Sequence, residues 1–319
     1  MGNKYEGRSN LQSFLDCITP AVETHFLPKQ PCFRTSKVRW RTAESDTIGC
    51  FSLAELWEQY YEWSAYGAGT AVRLPNGEKV VQYYVPYLSG IQLYTEKAFT
   101  ASRSFNGDSG ADYWSDDDDN AEKERLSRSW SAVSEDSGFS YEGSWVNRKR
   151  PGHLYFEFFE ICSPYGRIPF VDKIYELAQN FPGLTVLTSA ELSPASWMSV
   201  AWYPIYHIPT VHTVRDLSAC FLTYHSISSL FQENTAESVG KGLCRANGEE
   251  TGTRPDEKGA RFSLPPFGLA TYKTQGSLWN NPETGDNKRM VSLFSAADSW
   301  LKQLGVQHHD FNYFITHPI

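Results

Sequence analysis

Residues 193–226 read SPASWMSVAWYPIYHIPTVHTVRDLSACFLTYHS, a stretch dense in aromatic and β-branched side chains. Such residues favour strands, so the stretch predicts one strand over Trp197–Ile208 and a second over Ala219–Ile227. The loop between them is short enough for an antiparallel pair. Pro204 has no N–H to donate, which places it at a bulge or a sheet edge. We expect these two strands to form the centre of the fold.

Helical periodicity on either side of this pair predicts helices that pack on the sheet. Ser52 and Glu55 fit a capping box at the start of one helix, and an earlier short helix begins near Ser9. Pro169 opens a third helix. The last one carries apolar residues at spacings of three and four and ends at Gly305, a natural C-cap.

Further strands complete the predicted sheet. Residues 79–94 form two β-rich runs around Ser89-Gly90, which predicts a hairpin or a closely spaced strand pair. Residues 153–162 are apolar on both alternating faces, as in a central strand. A short strand over 184–188 would follow the third helix and create a strand–helix–strand unit. The sequence therefore predicts a single α+β domain over 1–319, with its core at about 11–304. Its sheet is mainly antiparallel and carries three to four helices.

Two insertions interrupt this domain. Residues 100–147 hold eleven serines, and eleven Asp or Glu against four Lys or Arg. Such a composition buries too little apolar surface to offset its ordering entropy, so we predict a disordered acidic insertion. Residues 233–261 are polar and Gly-rich, which predicts a second flexible loop.

Three serines of the acidic insertion are candidate phosphorylation sites. Ser115 is followed directly by Asp116–Asp118, the pattern that an acidophilic Ser/Thr kinase recognises, and Ser129 and Ser131 lie close to basic residues. Phosphate there would deepen an already negative patch. The alternative is a solvated spacer that no enzyme modifies.

Charge and composition exclude several classes of protein. The net charge is −8, and the acidic insertion accounts for most of it, so the rest of the chain is nearly neutral. Nucleic-acid binding, which requires clustered Lys and Arg, is not expected. The six cysteines contain no C-x-x-C pair, and no run approaches the ~18 apolar residues of a membrane span. We therefore expect no membrane association, and a cytoplasmic or nuclear location.

The aromatic residues of the central pair are candidate walls of a ligand pocket. The candidate pocket residues are Trp197, Trp202, Tyr206, His207 and Glu157. Aromatic side chains in such numbers also fill ordinary cores, and this alternative remains open.

No catalytic, metal or cofactor site is predicted from the remaining polar residues. Glu157 in an aromatic layer would have a raised pKa, as a general acid requires, but a place at the strand end or an ion pair with an arginine such as Arg167 or Arg215 is favoured. The spacing of His207 and His212, with His225 on the following strand, matches no standard metal-ligand pattern, so hydrogen-bonded core or surface histidines are favoured. Cys220 and His225 fall on opposite faces of one strand, which excludes a nucleophile–base pair.

The segments SPASWMSVAWYPIYHIP and DLSACFLTYHSI, together with the upstream FSLAELWEQYYEWSAYG, resemble the plant-specific family catalogued as domain of unknown function 789. The resemblance extends from about Leu11 to Trp300. It implies a plant intracellular protein of one globular domain, and supplies no reaction. The expected function is a non-enzymatic interaction or adaptor protein with protein partners and a phosphorylatable insertion. The alternative is a small-ligand-binding protein or an enzyme with an aromatic-lined pocket.

Overall fold

The two strands that the central stretch predicts are present and paired. Trp197–Pro204 and Cys220–Ser226 run antiparallel, with Trp197 opposite Ser226 and Trp202 opposite Phe221. Every residue of the second strand is buried. Both faces of this pair are therefore covered, which explains why its sequence is apolar throughout instead of alternating.

The computed structural model describes residues 8–28, 47–95, 152–205, 218–229, 261–274, 278–281 and 284–317. By density of contacts the chain divides into one unit of residues 1–98 with 151–319, and a second unit of residues 99–150. All described residues belong to the first unit. Both insertions lie outside the described part, except for Arg261. So do five candidate residues: Tyr206, His207, Ser115, Ser129 and Ser131.

The secondary-structure elements follow in chain order. The strands are β1 Ala21–Glu23, β2 His25–Pro28, β3 Thr47–Cys50, β4 Ala68–Arg73, β5 Lys79–Thr95, β6 His153–Phe159, β7 Trp197–Pro204, β8 Cys220–Ser226, β9 Arg261–Ser263 and β10 Gly268–Tyr272. The helices are α1 Asn10–Cys17, α2 Leu53–Glu58, α3 Tyr61–Tyr66, α4 Phe170–Ala178, α5 Gly183–Val186, α6 Asp286–Leu304 and α7 His309–Thr316. No helix in the described ranges is both long and apolar enough to cross a membrane.

One six-stranded sheet organises the fold. Its order is β10-β8-β7-β5-β4, and β6 pairs with the second half of β5. Each strand pair in the described ranges is antiparallel, including the two small sheets β1-β9 and β2-β3. The predicted α+β class is thus confirmed. Short helices such as α5 and α7 add to those expected from periodicity.

The prediction of two strands around Ser89-Gly90, as a hairpin or a closely spaced pair, is wrong. Residues 79–95 form one continuous strand, β5, whose register against β7 shifts between Leu88 and Gly90. Ser89 is the extra residue of this β-bulge, and such a bulge re-aims one side chain without reversing the chain. Pro86 lies between the part of β5 that pairs with β4 and the part that pairs with β6. On the side of β5 opposite β7 its missing N–H therefore interrupts no hydrogen-bonded ladder.

The predicted strand over 184–188 is also wrong. Residues 183–186 form the short helix α5, and only Thr188 makes an isolated bridge, to Ser52. The indole N–H of Trp57 donates to the carbonyl oxygen of Leu184, and Leu184 is fully buried. This tertiary contact holds the segment in the helical form, so the expected strand–helix–strand unit does not form.

Helices cover both faces of the sheet. On one face α1, α2 and α4 bury an aromatic cluster that includes Phe14, Trp57, Tyr60, Trp202 and Phe221. On the other face the C-terminal half of α6 and the helix α7 pack against β7, β8 and β10. Two helix boundaries were predicted correctly. Ser52 and Glu55 form a capping box at the start of α2, and Gly305 ends α6 with a left-handed φ of 65°.

The outer edge of β4 is closed by α1. The side chain of Asn10 donates to the carbonyl oxygen of Arg73 (2.9 Å) and accepts from its N–H (2.7 Å), as a neighbouring strand would. The Cys17 thiol lies 3.4 Å from the carbonyl oxygen of Gly69. An edge occupied in this way is a poor template for another strand.

Candidate functional site

The two tryptophans of the predicted pocket lie in the core. Both are fully buried, and they project from opposite faces of β7 because five residues separate them. Trp197 packs near Tyr224 beneath α6 and α7, whereas Trp202 packs near Trp63 on the other face. Trp197 and Trp202 therefore do not line one pocket.

Glu157 is connected to Trp197 through a third residue. Gln92 donates from its side chain to the Glu157 carboxylate, and its carbonyl oxygen accepts from the Trp197 indole N–H at 2.9 Å. The Tyr94 hydroxyl donates to the same oxygen at 3.2 Å. Glu157 itself is exposed. Its carboxylate thus ends a hydrogen-bonded chain at the surface, and Arg167, one of its expected partners, pairs with a different acid.

His225 is a core histidine with both ring nitrogens engaged. Nδ1 lies 2.9 Å from the carbonyl oxygen of Leu264, and Nε2 lies 2.9 Å from the Thr223 hydroxyl. Burial lowers the pKa of His225 to about 4. The described residues contain no group of three or more His, Cys, Asp or Glu that could hold a metal ion.

A buried cluster of polar side chains was not expected from the sequence. It joins residues from β5, the turn after β6, β7, β8 and the start of α7, and all of them are buried. We call it the polar clamp. Its members are Ser89, Arg167, Ser199, Tyr224, His308 and Asp310.

His308 stands at the centre of the polar clamp. Its Nδ1 lies 2.7 Å from the Tyr224 hydroxyl, and its Nε2 lies 3.0 Å from the Ser89 hydroxyl and 3.3 Å from that of Ser199. These contacts are satisfied by a neutral ring with its proton on Nε2, since Tyr224 can then donate to Nδ1. Burial lowers the pKa of His308 to about 4, against a partial opposing effect of Asp310. The imidazole is therefore uncharged at neutral pH.

Asp310 supplies the negative charge of the polar clamp. Both of its oxygens accept from the Arg167 guanidinium, and its Oδ2 also accepts from the Ser89 hydroxyl at 2.5 Å. Burial alone would raise the pKa of Asp310, but the bonds and charge of Arg167 outweigh this effect and hold the pKa below its ordinary value. Asp310 and Arg167 are thus both charged inside the fold.

Ser89, His308 and Asp310 are the residue types of a hydrolytic triad, but the arrangement differs from one. In a triad the carboxylate orients the imidazole, which then accepts the serine proton. Here the carboxylate binds the serine and an arginine, while Tyr224 occupies the other ring nitrogen. Ser89 is also fully buried. The geometry suits a structural role, which is to fasten α7 to the bulge of β5.

The polar clamp also fixes the turn after β6. Arg167 Nε and Nη2 donate to the carbonyl oxygen of Cys162 at 3.0 and 2.9 Å. The Glu160 carboxylate accepts from the N–H groups of Ile161 and Cys162. Bonds at both ends therefore hold this uncharged turn, ICSPYG, in one conformation. Two of its apolar side chains point outward, Ile161 at 74% and Tyr165 at 102% exposure.

The polar clamp could not be predicted from the sequence, because its members are far apart along the chain. Neither the Ser89-Gly90 pair nor the C-terminal His-His-Asp is a known motif for such a cluster. A weak signal exists at both places. Ser89 and Gly90 interrupt an otherwise apolar run, and His308 and Asp310 precede the buried Phe311 and Phe314. Polar residues set among buried ones require partners, which the fold supplies here.

The fold and the polar clamp define an α+β protein built on one antiparallel sheet, with its buried ionic groups used to join elements. The chain belongs to the family described as protein of unknown function DUF789, whose model matches residues 9–314. The match extends beyond the range expected from the resemblance and includes the start of α7, with His308 and Asp310. No curated protein and no solved structure is significantly similar to the chain.

Proposed function

We propose that the protein is a non-enzymatic interaction or adaptor protein of the plant cytoplasm or nucleus. The observation that carries this proposal is the turn after β6. The buried Arg167 and Glu160 bind the backbone of this turn, so a partner would meet the exposed Tyr165 and Ile161 on a backbone that is already ordered. Exposed aromatic residues on a fixed backbone are typical anchors of protein interfaces.

The segment 100–147 is the proposed regulatory tether of this adaptor. Its serines lie among acidic residues, and Ser115 matches the preference of an acidophilic Ser/Thr kinase. Each phosphate would add roughly −1.5 to −2 charges at neutral pH, which changes the electrostatic attraction of basic partners. Ser129 and Ser131 are the other proposed acceptors.

Proximity labelling in plant cells tests the proposal. We would compare the wild-type chain with Tyr165→Ala, with a deletion of 100–147, and with Tyr175→Ala, a half-exposed tyrosine on α4 that serves as a control. The expected result is that Tyr165→Ala removes a set of labelled proteins that Tyr175→Ala retains, and that the deletion alters the same set. Identical labelling by all four chains would contradict the proposal.

The alternative of a small-ligand-binding protein or an enzyme with an aromatic-lined pocket has less support. Trp197 and Trp202 are core residues on opposite faces of β7. Tyr206 and His207, which complete the proposed aromatic wall, lie outside the described residues.

A further inference from the structure

A groove opens at the β10 edge of the sheet, between α6 and α7. Its volume is about 460 Å³, which lies within the range of binding sites. The apolar lining comes from β10, α6 and α7, and includes Leu269, Met290, Val291, Phe294, Phe314 and Ile315. No described residue of β7 lines it.

Lys273 is the one charged side chain among the described residues that line the groove. It forms no ion pair with any described residue, and its ammonium lies 5.1 Å from the centre of the Tyr272 ring. Lys288 and Arg289 are exposed on the first turn of α6, the helix whose Asn287 and Met290 line the groove. The described lining of the groove therefore carries a positive charge at Lys273 and no carboxylate, and favours an anionic group.

The backbone of Lys273 is also unusual. Its φ is 58°, and within the described ranges it is the sole residue other than glycine with a positive φ. A long side chain is disfavoured in this conformation, and such residues cluster at binding sites because the surrounding structure enforces them. The strained residue is the one that presents the charge.

The shape of the groove favours an extended peptide over a small molecule. A small ligand is normally enclosed over most of its surface. Here the walls stay open, with Val291 58% and Ile315 41% exposed. In the described part of the sheet β10 pairs with β8 alone, and Thr271 and Tyr272 of β10 line the groove. A peptide added along β10 would gain main-chain hydrogen bonds and place alternate side chains in the groove.

We propose that this groove binds an extended acidic segment of a partner protein, which pairs with β10, inserts apolar side chains between Phe294 and Phe314, and places a carboxylate at Lys273. This inference rests on the proposed function, because it names the chemistry of one partner of the adaptor. It uses a surface different from the Tyr165 turn, so each can be tested without the other.

The test is selection of a phage-displayed library of random heptapeptides on the immobilised full-length chain. Synthetic versions of the selected peptides are then titrated by fluorescence polarisation. The variants are Lys273→Asn, which removes the charge but keeps a residue that tolerates positive φ, and Val291→Ser, which makes one wall polar. Lys302→Gln is the matched control, since Lys302 is exposed on α6 and pairs with Asp298 instead of lining the groove.

The expected result is a set of peptides rich in Asp and Glu with apolar residues at alternate positions. Their affinity should fall about tenfold in Lys273→Asn and should weaken as salt is added, with no change in Lys302→Gln. Selected peptides without acidic residues, equal affinity for Lys273→Asn, or no selected peptide at all would overturn the inference. Sodium decanoate is titrated separately as a competitor. If it displaces the peptide and binds the chain more tightly than the peptide does, the groove is a site for a small amphiphilic anion, and the inference is also overturned.

The two proposals fail separately. If Lys273→Asn keeps the proximity-labelled partners that Tyr165→Ala loses, and binds every selected peptide normally, the acidic-peptide inference is rejected while the adaptor function stands. If Tyr165→Ala and the deletion of 100–147 change no labelled protein, the proposed function fails, whatever the peptides show.

Discussion

Arg167 and Asp310 form a two-armed ion pair inside the protein, with Nη1 and Nη2 each 2.7 Å from a carboxylate oxygen. The side chains are 2% and 4% exposed. Removing either partner leaves an unpaired buried charge, so Arg167→Ala or Asp310→Ala should lower the free energy of unfolding by about 3–5 kcal/mol. Urea denaturation followed by circular dichroism measures this loss.

The double variant Arg167→Met/Asp310→Leu distinguishes the cost of an unpaired buried charge from the cost of lost side-chain packing. It leaves no unpaired ion, so we expect it to be more stable than either single alanine variant. A loss equal to the sum of the two single losses would show that the ion pair does not act as a unit.

The buried histidines should make the protein less stable as the pH falls from 7 to 5. His225 and His308 have pKa values lowered from 6.5 to about 4, so the unfolded chain binds protons in this window and the folded chain does not. The expected loss of unfolding free energy is about 2 kcal/mol for each histidine. His225→Gln and His308→Gln should each show a shallower pH dependence in urea titrations. Equal slopes in wild type and variants would contradict the assignment.

A side chain at Gly90 is expected to destabilise the protein. A Cβ there would lie 3.0 Å from the Phe159 ring and 3.1 Å from both His308 Nε2 and Ser199 Oγ. Gly90→Ala should therefore cost about 1–3 kcal/mol through overpacking. Gly166→Ala is the control, since its nearest atom would be 4.0 Å away. Thermal unfolding compares the two, and similar melting temperatures would show that the bulge can widen.

Asn10 should contribute more to the stability of the fold than its place at the start of α1 suggests. Asn10→Ala removes both hydrogen bonds to Arg73 and exposes the β4 edge, at a cost of about 1–3 kcal/mol. Asn10→Asp keeps an acceptor for the Arg73 N–H but loses the donor, so its stability should fall between those of the wild type and Asn10→Ala. Sedimentation velocity should also detect self-association of Asn10→Ala. A variant with the same stability and the same sedimentation coefficient as the wild type would contradict this role.

Local signals were sufficient for much of the fold. The strands at 197–204 and 220–226, the capping box of Ser52 and the end of α6 at Gly305 depend on residues close in sequence, and each was predicted. The errors occurred where distant residues decide the outcome. Ser89-Gly90 has the composition of a turn, but contacts with His308 and Phe159 make it a bulge.

The sites were harder to predict than the fold. The polar clamp requires Arg167 and Asp310 to meet across a large sequence separation, and no spacing rule encodes such a meeting. The groove at Lys273 depends on the packing of α6 beside β10. Tryptophan content pointed instead to Trp197 and Trp202, whose size makes them core residues here.

Thr95 and His153 face each other as paired residues of β5 and β6, although the whole acidic segment lies between them in sequence. The chain therefore leaves the sheet and returns to it at the separation of an ordinary hairpin. The entropy of closing a loop rises only with the logarithm of its length, so doubling the loop costs roughly 0.6 kcal/mol. The sheet would be nearly indifferent to how many residues are inserted here. Sequence can thus be gained, lost or exchanged at this position at little cost to the stability of the sheet, and the proposed tether could change independently of the fold.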